Sequence, residues 1–198
     1  YILAMSFIDG IPLDELVNQK QSTIDNVCFA LMELTLNELF VSGLMQSDPN
    51  FANYSYQPET DKIALLDFGA CCEISPTIVS AYHDMAVAMQ HQSRTDIHKA
   101  FMRLELLRES MPEEVKNIVV DATMMASECL QSDSYNFKDA ALVTRLYAYT
   151  QGLMRNKDAV ASPAFDSALV NRKISGMILL ASRLGANLPM RGTLEKYL

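Results

Sequence analysis

Three side chains set the chemical question. Asp48 and Asn53 stand five residues apart in Asp48-Pro49-Asn50-Phe51-Ala52-Asn53, and Asp67 follows 19 residues after Asp48, in Asp67-Phe68-Gly69. A tight loop with a carboxylate and a carboxamide at that offset aims one at a reacting hydroxyl or water and the other at a cation. Phosphoryl transfer asks for this pairing, because it needs a nucleophile held in line and negative charge neutralised on the phosphates. Asp48 then orients the nucleophile, Asn53 supplies a neutral oxygen ligand, and Asp67 brings the charged oxygen that a hard cation such as Mg2+ prefers. Phe68 is expected to pack beneath Asp67, Gly69 to permit a sharp backbone turn, and Pro49 to stiffen the loop. Each motif alone has a plainer reading: Asp-Pro-Asn is an ordinary turn sequence, and Asp67 can simply end a strand. The joint spacing favours a site.

The elements that must position these residues are mostly helical. Residues 1–8 read as a short extended run closed by the turn signal Asp9-Gly10, and Pro12 suits the first turn of a helix reaching about Gln19. Ser22-Thr23-Ile24-Asp25 resembles a capping box, with Ile24, Val27, Leu31, Leu34 and Leu39 following at helical spacing and Gly43 as the stop. Residues 46–69 hold the loop, then strands Tyr54–Tyr56 and Ile63–Asp67 around the turn-like Gln57-Pro58-Glu59-Thr60-Asp61, a small hairpin presenting Asp67 at its far end. Residues 75–198 read as helices at 77–92, 96–108, 112–130, 138–155 and 164–184, with a short last one near 192–197. The links at 131–135 and 156–163 are polar. The fold class expected is mainly α in one domain, with a single two-stranded hairpin.

Composition excludes several alternatives. The 198 residues carry 24 acidic and 16 basic side chains, a net charge of −8, which disfavours nucleic acid and general adhesion to anionic lipid. No apolar run is long enough for a transmembrane helix, and no segment resembles a signal peptide, so the expected location is cytoplasmic or peripheral to a membrane rather than secreted. Cys28, Cys71, Cys72 and Cys129 form no C-x-x-C pair and read as reduced thiols, the vicinal Cys71-Cys72 included. His91 and His98 are seven apart, but Ser93-Arg94-Thr95 interrupts the helix they would share, so they read as ordinary histidines. The twelve methionines read as core filler, Glu113-Glu114 as a helix start, and Arg172-Lys173 as a solvated helix face.

The offset from Asp48 to Asn53 is that of the Asp and Asn in a protein-kinase catalytic loop, and Asp67-Phe68-Gly69 stands where the kinase magnesium motif belongs. The chain resembles the UbiB-type atypical kinase-like family, the aarF-domain-containing kinases. The resemblance rests on Met5-Ser6-Phe7-Ile8-Asp9-Gly10-Ile11-Pro12-Leu13-Asp14, on Gln46-Ser47 before Asp48 through Asn53 where ordinary kinases carry His-Arg, and on Leu65 through Ala70. Asn171-Arg172-Lys173 with Leu180 through Leu184 resembles the family's last long helix.

The resemblance implies a kinase C-terminal lobe that binds ATP and Mg2+ and serves ubiquinone or other isoprenoid-lipid metabolism, in an organelle matrix if the source is eukaryotic. It implies that residues 1–8 form the hinge, with backbone groups of Ser6 and Ile8 facing the adenine and Met5 as gatekeeper. The hinge Glu common in kinases is Ser6 here, the family's Trp after Asp-Pro-Asn is Phe51, and Cys72 stands where Arg is common. The family's N-terminal lobe, with its ATP-binding Lys, its partner Glu and its Lys-x-Gly-Gln extension, has no counterpart in these residues. That lobe is the expected partner, beside quinone-pathway proteins or an isoprenoid lipid. The competing reading is a non-catalytic scaffold that binds a protein or lipid through its helices.

Overall fold

The computed structural model describes residue 4 and residues 6–138, 141–154 and 165–198. Helix α1 (Gln21–Asn37) runs into a single π-helical turn, Glu38–Ser42, and stops at Gly43, whose φ of 63° is left-handed as the sequence predicts. Its N-terminus departs from expectation. Lys20 is the cap residue and makes no side-chain capping bond; Asp25 accepts instead from the Gln21 side chain and from the Asn187 backbone N–H, each at 2.8 Å. The helix expected from Pro12 is a 3-10 helix, Leu13–Asn18. Leu13 and Leu16 explain the choice, since a three-residue period puts both on one side and both are fully buried.

Helices α2 (Pro76–Gln90), α3 (Arg94–Arg103) and α4 (Glu113–Ala126) follow, the last continued by a 3-10 turn at Ser127–Leu130. Ser75 and Ser93 cap α2 and α3 by accepting from Ile78 and Asp96 backbone N–H groups. The Ser93 cap separates His91 from His98, as expected. Helix α3 stops five residues short of the expected Arg108, and Glu105 adopts a left-handed φ of 56° just beyond it. Helices α5 (Leu142–Met154), α6 (Phe165–Leu184) and α7 (Met190–Glu195) complete the set among the described residues. The link expected at 156–163 lies outside the described residues. The core forms two clusters, one around α1, α6 and the hairpin, the other around α2, α3 and α4.

The strands are short, and more of them pair than the sequence suggests. The expected hairpin is present as β3 (Tyr54–Gln57) and β4 (Lys62–Leu65), with Tyr54 opposite Leu65. A two-residue strand, β1 (Ile11–Pro12), adds to β3 as a third member. Gly10 makes this approach possible: a Cβ there would lie 2.3 Å from Ser55 Oγ. Strands β2 (Leu44–Gln46) and β5 (Cys71–Glu73) form a second antiparallel pair, and β6 (Tyr135–Asn136) with β7 (Asn187–Leu188) a third. Within residues 1–8 the described Ala4, Ser6, Phe7 and Ile8 carry no strand, and Met5 lies outside the described residues.

Candidate functional site

Two antiparallel ladders place the motifs. The loop 47–53 leaves β2 and enters β3; the loop 66–70 leaves β4 and enters β5. Because β2 pairs with β5 and β3 with β4, the two loops must lie side by side. Cross-loop hydrogen bonds tie them. Ser47 donates from its backbone N–H and its Oγ to the Ala70 carbonyl at 3.1 and 2.9 Å, Gln46 Nε2 donates to the Asp67 carbonyl at 3.3 Å, and Leu66 N–H donates to the Asn53 carbonyl at 2.9 Å.

Within this frame Asn53 Nδ2 donates to Asp48 Oδ2 at 3.0 Å. An ionised carboxylate only accepts, so this bond fixes which end of the amide faces it and leaves Asn53 Oδ1 as the outward acceptor. Asp67 Oδ1 accepts from the Gly69 backbone N–H at 2.7 Å, a turn closed on itself, and leaves Oδ2 free of hydrogen bonds among the described residues. Gly69 serves this turn by its missing side chain: a Cβ would sit 3.1 Å from Asp67 Oδ1. Phe68 is not packed beneath Asp67 as expected. It is 60% exposed, because the Asp67–Gly69 turn points the intervening side chain outward. Side chains of Asn53 and Asp67 thus face different partners, and among the described residues no three His, Cys, Asp or Glu side chains are grouped to hold a metal ion. Ser6 and Ile8 are both exposed.

The donor set nevertheless suits a hard cation such as Mg2+. Asp48, Asn53 and Asp67 offer only oxygen toward a cation, and two of these oxygens, Asn53 Oδ1 and Asp67 Oδ2, are uncommitted. Beside the loop a cavity of about 380 Å³ is lined by Pro12, Asp14, Phe51, Leu66 and Arg183 among others.

Sequence reasoning missed the side chains that hold the loop from α6. Arg172 Nη2 donates to Asp48 Oδ1 at 2.8 Å. Lys173 is not on a solvated face: it is 1% exposed, donates to Tyr54 OH at 2.5 Å, lies over the Tyr54 ring, and pairs with Glu38 Oε2 at 3.6 Å. Glu38 in turn accepts from the Gln46 backbone N–H through Oε1. Burial pushes the Lys173 ammonium down from its ordinary value despite Glu38, and pushes the Glu38 carboxyl up despite Lys173. Tyr54 is raised as well, by burial first and then by the Glu38 and Asp48 charges. A signal for Lys173 existed. It stands in the buried stripe Val170, Lys173, Met177, Leu180 and Leu184, where the helical period demands an apolar residue.

All four cysteines are free, with Cys28 and Cys129 buried and their thiols pushed up to about 12 by that burial. Glu113 and Glu114 sit in the first turn of α4. No helix among the described residues is long and apolar enough to cross a membrane.

Comparison with known proteins follows the same lines. A family model, the ABC1 atypical kinase-like domain, matches residues 1–101. Atypical kinase COQ8B, mitochondrial, of Danio rerio is 29% identical over 191 residues, covering 96% of this chain and 30% of the relative. Atypical kinase COQ8, mitochondrial, of Saccharomyces cerevisiae is 29% identical over 189 residues, covering 94% and 37%. The chain spans about a third of the length of the curated relatives it matches. Among solved structures, a chain of the complex of Rv3197 with erythromycin from Mycobacterium tuberculosis superposes with a TM-score of 0.70 at 17% identity, covering 97% of this chain and 48% of that one. That likeness shows a shared fold.

Proposed function

The chain belongs to the ABC1 atypical kinase-like family, and on that premise we propose that it is the C-terminal lobe of a UbiB-type atypical kinase or ATPase acting on magnesium-ATP. The observation that carries the reading is the pair of crossed ladders, which sets the Asp48 loop beside the Asp67 loop. Asn53 and Asp67 would hold Mg2+ through their uncommitted oxygens, and the bound ion would supply charge neutralisation on the phosphates. Asp48, held at both carboxylate oxygens, would orient the hydroxyl or water that attacks. Backbone groups of Ser6 and Ile8 would meet the adenine, with Met5 as gatekeeper and Gly69 closing the Asp67 turn.

The mitochondrial atypical-kinase names of its relatives support a role in quinone or isoprenoid-lipid metabolism, in an organelle matrix or at a membrane surface. The isolated 198 residues would bind nucleotide weakly. Phe7 is 90% and Phe68 60% exposed, so the apolar enclosure that adenine needs would come from a partner lobe.

The test is Asp67→Asn in the full-length gene product. The change removes a charged ligand and little volume, so magnesium-dependent ATP hydrolysis should fall at least about 100-fold with melting unchanged. Undiminished hydrolysis in that variant would remove Asp67 from the site.

A further inference from the structure

Three contacts of α6 with the loop follow from one another. Gly176 lies so close to Pro49 that a Cβ on it would stand 2.2 Å from Pro49 Cβ. The helix backbone therefore rests on the residue that follows Asp48. Arg172 is one turn before Gly176, on the same helix face, and that spacing carries its guanidinium to Asp48. Lys173, three residues before Gly176, enters the interior beside Tyr54, the first residue of β3. The Arg172–Asp48 pair is thus set by backbone packing rather than by two free surface side chains.

We propose that Arg172 is a positioning residue for the reaction assigned above: it holds Asp48 by Oδ1 while Asn53 holds Oδ2, so that the carboxylate is fixed before nucleotide arrives. The inference rests on the proposed role of Asp48. An exposed pair of this kind contributes little to stability. Its effect lies in orientation, where small misplacements of a reacting group cost rate rather than binding. Arg172 touches no reacting atom and acts only through Asp48.

The experiment uses the full-length gene product with magnesium-ATP as the probe, and compares Arg172→Gln, Arg172→Lys, Asp48→Asn and the double variant Arg172→Gln/Asp48→Asn. Arg172→Gln should lower kcat about 10-fold while KM for ATP stays within about 2-fold. Arg172→Lys should recover part of the loss, since it restores the charge as a compact ammonium in place of a planar fork. Because Arg172 acts through Asp48, the double variant should be no slower than Asp48→Asn alone. In the nucleotide-free protein, hydrogen exchange at the Asn53 amide should accelerate in Arg172→Gln with no change in melting. Unchanged kcat in Arg172→Gln, or losses that add in the double variant, would overturn the positioning role while leaving Asp48 in the site. Full activity in Asp48→Asn would instead overturn the site itself, and the positioning role with it.

Discussion

Arg172 and Lys173 are consecutive residues on α6, and they meet opposite physics. The Arg172 side chain is 60% exposed and pairs with Asp48; the Lys173 side chain is 1% exposed and pairs with Glu38. In water-facing surroundings an ion pair is screened, and its value lies in geometry. In the interior the same attraction is set against the loss of hydration, and the pair persists only because each charge would be worse alone. The Asp48 loop is therefore held from two sides by different means. The solvent side can be altered with little loss of fold, whereas the buried side ties loop, hairpin and two helices into one unit.

The buried side should break first. Lys173→Met leaves Glu38 without its partner in a dry setting, and unfolding by urea should show a loss of about 3–5 kcal/mol. Adding Glu38→Gln to Lys173→Met should recover most of it, because the stranded charge is gone. A loss much below that range would place the pair in contact with water and erase the contrast with Arg172.

Gly176→Ala probes the seam between the two sides. Alanine should gain about 0.5–1 kcal/mol of helix propensity, yet its Cβ meets Pro49 backbone-near atoms, a fixed ring rather than a flexible chain end. Overpacking of that kind costs about 1–3 kcal/mol, so the net change in thermal unfolding should be destabilising and small. ATP turnover should fall more than stability does, since the shift falls on the residue beside Asp48.

The smallest effect is a slope with pH. Burial raises the Glu38 carboxyl above 4.5 in the folded chain. A raised folded value means that Glu38 contributes stability below the ordinary carboxylate value and loses it as pH rises through the folded one. Wild type should therefore lose stability relative to Glu38→Gln as pH climbs above 4.5. Glu113 is the control. Its hydrogen bond with Lys116 holds its carboxyl below the ordinary value, so its contribution is present above that value and is lost as pH falls. Opposite slopes in denaturation at several pH values would sharpen the distinction between a buried carboxylate and an exposed one; parallel slopes would remove it.

The same division decides what could be read in the residue string. Asp48, Asn53 and Asp67 stood out because the proposed chemistry demands particular types at fixed offsets within one short stretch. The hairpin and helices α2 to α7 were legible in outline because each repeats its pattern locally. Glu38, Tyr54 and Lys173 come together from the π-helical turn, β3 and α6, and a lone Lys on a helix looks solvated until the stripe around it is counted. The β2–β5 pair was hidden for a related reason: strands of three residues, Leu44-Met45-Gln46 and Cys71-Cys72-Glu73, are too short to carry a periodic signal, and only the ladder reveals them. Phe68 was misjudged because a self-closed turn, not hydrophobicity, decides where it points.

The π-helical turn at Glu38–Ser42 has a consequence for how this fold tolerates change in length. A π turn is an α-helix that takes up one extra residue within a turn. Here it sits between α1 and β2, the strand that feeds the Asp48 loop, with Glu38 as its first residue. Removing a single residue from this turn would restore an uninterrupted helix and rotate everything after it by about 100° around the α1 axis. Gly43 would no longer meet β2 at the angle that delivers Gln46 to Asp67. The five residues 38–42 are thus a spacer whose count matters more than its composition, and a one-residue deletion there should be worse tolerated than any single substitution at Val41, which is 67% exposed.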